Sequence, residues 1–125
     1  MRPVSTWFFT VAALCATVGM AWGIQMAATH DHLLSPAHAH LNLVGWVTMG
    51  LFGLYYRLTP LAAGRLAWVH FALALVGVLL MVPGIALAIL GQTEALAIAG
   101  SFATISSMLL FVLTVPRHGL GSEAL

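Results

Sequence analysis

The chain has 125 residues, of which 62% are hydrophobic and only 6% charged, with Lys+Arg 4 against Asp+Glu 3 and a net charge of +1. A water-facing domain carries about 25% charged residues. This composition therefore excludes an ordinary soluble globule and, with four scattered arginines, a nucleic-acid-binding surface. Lipid is the expected solvent, and Cys15, the single cysteine, leaves no intrachain disulfide or multi-cysteine metal site.

A bilayer-crossing helix needs about 20 mainly apolar residues. Four such segments are predicted, at about residues 6–28, 37–58, 65–90 and 94–115. The expected fold is a single all-α membrane domain: an up-down bundle of four transmembrane helices with both termini cytoplasmic. Ser35-Pro36 opens the second helix, since proline at a helix start loses no hydrogen bond by lacking its N–H. Thr59-Pro60 and Ala63-Gly64 bound the next turn. Pro83-Gly84 is expected to kink the third helix, Thr93 to cap the fourth, and Pro116 to stop it.

Arg2, Arg57, Arg65 and Arg117 all fall on one side of such a bundle, which the positive-inside rule assigns to the cytoplasm. The expected location is thus a bacterial inner membrane, with Asp31 and Glu94 on the periplasmic side. A competing reading takes residues 1–23 as a cleaved signal peptide, although the apolar run is long for one.

Six histidines stand out. His30, His32, His38 and His40 fall within eleven residues, on the outer loop and the start of the second helix. Imidazole is a common ligand of copper, zinc and haem iron, and ionisable residues inside a membrane are functional candidates by default. The bland alternative is interfacial histidines satisfied by headgroup water. On a straight α-helix, His38 and His40 point about 200° apart. His40 then shares a face with Val44, Val47, Leu51 and Leu54, and His38 one with Asn42, Gly45, Met49 and Gly53. The first face is smooth enough for a macrocycle; the second, rich in small residues, suits close helix contact.

The run His38-Ala39-His40-Leu41-Asn42-Leu43-Val44-Gly45-Trp46, continuing to Gly53-Leu54-Tyr55-Tyr56-Arg57-Leu58-Thr59-Pro60, resembles the second transmembrane helix of haem-copper oxidase subunit I, in particular the nitric oxide reductase branch. A histidine, one residue, then Asn carries the likeness. Leu66-Ala67-Trp68-Val69-His70-Phe71 is similar, less specifically, to the helix that follows in that family. The resemblance implies that His40 is an axial ligand of a low-spin b-type haem near the periplasmic face; His38, Asn42, Trp46 and Met81 are the further candidate cofactor-binding residues. The family's other haem and copper ligands come from later helices, so the likeness implies haem binding and not oxidase catalysis.

His70 lies about 20 Å from His40 along the membrane normal at 1.5 Å per residue, so one haem cannot use both; His70 is expected to bond a backbone group or a neighbour, and His118 to be solvated. Candidates for a second ligand are His38, His30, His32, Met26, Met81 or a residue of a second copy. The alternatives are an outer-face copper or zinc protein using His30, His32, His38 and His40, and a small structural subunit of a respiratory complex. Gly19 and Gly23 form a GxxxG pattern that would serve a homodimer or trimer. Quinone or a periplasmic electron-transfer protein are the further expected partners. The tryptophans, Tyr55 and Tyr56 are expected mostly in an aromatic belt, and the hydroxyls of Ser101, Thr104, Ser106 and Ser107 on their own backbone. No nucleophile–base or carboxylate pair suggests an enzyme.

Overall fold

The computed structural model describes residues 1–122 and is helical, with no strand among the described residues. Helix α1 is Val4–Thr29, α3 is Arg65–Ile89 and α4 is Ala95–His118. Between them, α2 runs unbroken over residues 35–58. It comprises an α-helical turn Ser35–His40, a π-helical segment Leu41–Thr48 and an α-helix Met49–Leu58, with helical backbone angles at both junctions. A short 3₁₀ turn, Pro60–Ala62, leads to α3.

Helices α1, α3 and α4, of 26, 25 and 24 residues, are long and apolar enough to cross a membrane. At 1.5 Å per residue each is at least about 36 Å long, more than the roughly 30 Å hydrocarbon core. Much of their apolar surface, including Val18, Ile24, Phe102, Ile105 and Val112, faces outward, as helices solvated by acyl chains require.

Successive helices alternate in direction. Phe8 of α1, Phe52 of α2, His70 of α3 and Phe111 of α4 meet at one end. Gly19 of α1 meets Asn42 of α2 towards the other end. The four arginines belong to the His70 end, and the loop with His30 and His32 to the opposite end.

Two helix pairs approach closely through glycine. A Cβ on Gly19 would come within 2.5 Å of Asn42 Oδ1, and one on Gly45 within 2.8 Å of Cys15 Sγ. The GxxxG pair expected to join two copies is thus used inside the chain, with Gly19 under Asn42 and Gly23 under His38. Between α3 and α4, a Cβ on Gly100 would come within 2.5 Å of the Met81 amide nitrogen.

Several expected boundaries shift. Helix α4 begins at Ala95, with the Thr93 hydroxyl accepting from the Ala95 N–H at 3.2 Å. It continues through Pro116 to His118, because a proline in the last turn removes one hydrogen bond without reversing the backbone. Gly119, at φ 74°, ends it instead. Helix α3 holds Pro83 in its interior, as expected.

Tyr55 and Tyr56, expected in a belt, are core residues, 6% and 2% exposed. The His70 end is where all four helices converge, and large rings fill that convergence.

Gly19→Val or Gly45→Val is expected to destabilise the detergent-solubilised protein by about 1–3 kcal/mol, the usual cost of overpacking. Gly64→Ala, at a site with nothing within 4 Å of its added Cβ, is expected to leave the thermal midpoint unchanged.

Candidate functional site

The two ends of the bundle hold their histidines differently. At the loop end, His30 closes α1 in the left-handed conformation, at φ 55°. Asp31 Oδ1 accepts the Leu33 N–H at 3.0 Å, a local turn that fixes the loop. His30 and His32 are exposed. Among the described residues no three His, Cys, Asp or Glu side chains stand together in a group able to hold one metal ion.

His38 turns into the α1–α2 interface. Its Nε2–H donates to the Gly19 carbonyl at 2.9 Å, and the Trp22 ring stands edge-on to it at 5.7 Å. Asn42 Nδ2 donates to the His38 carbonyl at 2.9 Å. In an ordinary α-helix that carbonyl serves the backbone N–H of residue 42. A side chain taking this acceptor competes with the ladder, at the point where the hydrogen bonding passes into the wider i→i+5 pattern. The Thr48 hydroxyl repeats that spacing, donating to the Leu43 carbonyl at 2.7 Å.

The π segment revises the helical wheel. The face expected with His38 does face inward: Gly45, Met49 and Gly53 are buried, His38 and Asn42 half-buried. The buried positions of the outer half, Ala37, Leu41, Gly45 and Met49, recur at every fourth residue. Of the face expected with His40, Val47, Leu51 and Leu54 point outward, but Val44 packs against the core. The wider turn carries Val44 off the outward face.

His40 is half-buried, and its Nδ1–H donates to the Pro36 carbonyl at 2.7 Å. This bond fixes the tautomer and leaves Nε2 with its lone pair available. Trp46 is 39% exposed. Met81 is buried in the α3–α4 interface against Gly100, and Met26 is buried on α1.

At the opposite end, His70 is fully buried. Tyr56 Oη lies 2.8 Å from its Nδ1, while its Nε2 has no partner. Phe52 lies at 4.3 Å, Phe8 at 5.3 Å and Phe111, stacked, at 5.7 Å, so every helix contributes a ring to this enclosure. The expected neighbour bond is present, but the full aromatic enclosure carries no local sequence signal. His118 bonds the Thr114 carbonyl at 3.1 Å through Nδ1. Ser101 bonds its own backbone, as expected, but the buried Thr104 hydroxyl has no partner.

The fold and its two histidine assemblies define an all-helical chain with at least three helices suited to a bilayer and with imidazoles held in two different ways. In comparisons with known proteins, no family model, curated protein or solved structure matches it.

Tyr56→Phe is expected to cost about 1–3 kcal/mol of stability, because it leaves both His70 nitrogens unpaired in an apolar enclosure. The double variant Tyr56→Phe/His70→Leu is expected to cost less than the sum of the two single changes, measured by a thermal double-mutant cycle in detergent.

Proposed function

We propose that this chain is a four-span inner-membrane protein that binds b-type haem through His40 near the periplasmic face, for electron transfer or redox sensing. The observation that carries the reading is the His40 ring. Its Nδ1–H is anchored on the Pro36 carbonyl at 2.7 Å, the arrangement by which a second hydrogen bond orients a ligating imidazole and raises its basicity. His38, its neighbour in the motif, uses its Nε2 on Gly19 instead.

Helix α2 supplies the fourth span, since residues 35–58 form one continuous helix with Arg57 at its inner end. With Arg2, Arg65 and Arg117 beside it, that end is cytoplasmic by the positive-inside rule. The His30–His40 segment is then periplasmic.

His40 would hold the group through its free Nε2. Leu43, Val47 and Leu51 are exposed beside Trp46 on the outward side of α2 and offer an apolar surface to one face of a macrocycle. Because that surface faces outward, a group held there would be covered from outside this chain, most simply by a second copy in a homodimer, which would also supply any further ligand. Bound haem supplies one-electron chemistry at that depth. This chain's residues orient His40, exclude water along α2 and present the site to quinone or a periplasmic donor.

The detergent-purified protein from haem-replete cells is expected to show a Soret band with sharp bands on reduction. His40→Ala is expected to abolish them, and His38→Ala to retain them while lowering thermal stability. A colourless wild-type protein overturns the reading; copper or zinc on that sample, lost on changing His30 and His32, would instead identify a periplasmic metal-handling protein.

A further inference from the structure

Midway along the bundle, α2, α3 and α4 enclose a cavity of about 20 Å³ beside the end of the π segment. Its wall includes Thr48, Thr104 and Ser107 among apolar groups such as Met49, Phe52 and Ala74. A cavity of about 10–15 Å³ is enough to hold one water, provided two to four polar groups can bond it.

The three hydroxyls are not equivalent. Thr48 has given its proton to the Leu43 carbonyl at 2.7 Å, which leaves its oxygen as an acceptor. Thr104 Oγ1 is buried with no protein partner. It sits in the notch made by Gly77, where a Cβ would come within 2.5 Å of it. Ser107 is 2% exposed. An orphan hydroxyl in an apolar interior carries its full desolvation penalty, and in the middle of a bilayer no bulk water reaches it.

We propose that this cavity is a binding site for a single water molecule. The water accepts from the Thr104 hydroxyl and donates to Thr48 Oγ1, with Ser107 as its third neighbour. One water thereby joins α2 to α4 where the π segment ends and relieves the Thr104 orphan. The volume admits nothing much larger, and three neutral hydroxyls without a carboxylate give a cation no compensation for its dehydration. The site is independent of the haem reading, because neither His40 nor the outward face of α2 contributes to it.

The test uses the full chain in lipid bilayers with isotopically labelled threonine and isoleucine. Water-edited solid-state NMR is expected to show rapid magnetisation transfer from water to Thr104, at a depth where the outward-facing Ile105 receives none. Transfer is expected to vanish in Ala74→Leu, which fills the cavity. No transfer to Thr104 in the unaltered chain overturns the proposal. Stability supplies a sign test in the same direction. A bonded hydroxyl predicts that Thr104→Val lowers the thermal midpoint and that Thr104→Ser lowers it less. A dry cavity predicts that Thr104→Val, by removing an orphan, leaves the midpoint unchanged or raises it, and that result also overturns the proposal. Should Thr104→Val fail to fold, the NMR result on the unaltered chain decides alone.

Discussion

The Tyr56–His70 hydrogen bond, 2.8 Å long and closed off from solvent, is the contact on which the arrangement of the four helices depends. An imidazole on α3 that must lie among rings needs a polar partner at a fixed position, and that partner stands on α2. Phe8 from α1 and Phe111 from α4 can close around the pair only when all four helices reach that end in register. Between aliphatic helices in lipid, the hydrophobic effect does not distinguish one pairing from another, and packing and polar contacts must select it. This enclosure combines both.

At the other end the selecting device is close approach. Gly19 and Gly45 let α1 and α2 come near enough for His38 to reach a backbone carbonyl of the neighbouring helix. The carbonyl of Gly19 can accept because an oxygen engaged in a helix ladder retains a second lone pair. Adjacent histidines of similar sequence setting thus receive different tasks. His38 stitches two helices, and His40, braced on Pro36, keeps a nitrogen free. The π segment beneath them belongs to the same economy of hydrogen bonds, with Asn42 and Thr48 side chains taking carbonyls that the backbone would otherwise use. Such segments recur at functional positions because they re-aim side chains without ending the helix.

These interactions give the bundle two unlike halves. The His70 half is sealed by large rings. The loop half is built from glycines, an amide and imidazoles and exposes His30 and His32 to water. The proposed ligand site lies in the second half, which is open to the outside, while the first half sets the geometry that holds the helices together.

The sequence by itself determined the helical class, the positions of the apolar segments and their turns, and the division of His38 from His40. Each depends on local facts: hydropathy over some twenty residues, Pro and Gly at the breaks, and a two-residue spacing that no helix can bring onto one face. The two-residue argument holds although α2 is partly π-helical, because His38 and His40 both lie in the α-helical turn that precedes the π segment. Only the tertiary structure decided that Gly19 and Gly23 meet α2, that Tyr55 and Tyr56 are core, that His70 is fully enclosed, and that Thr104 is left unpaired beside a small cavity. Each of these is a pairing between residues on different helices, as Tyr56 with His70 or His38 with Gly19. Helical periodicity states which face a side chain occupies and is silent about which helix meets that face, at what depth and how closely.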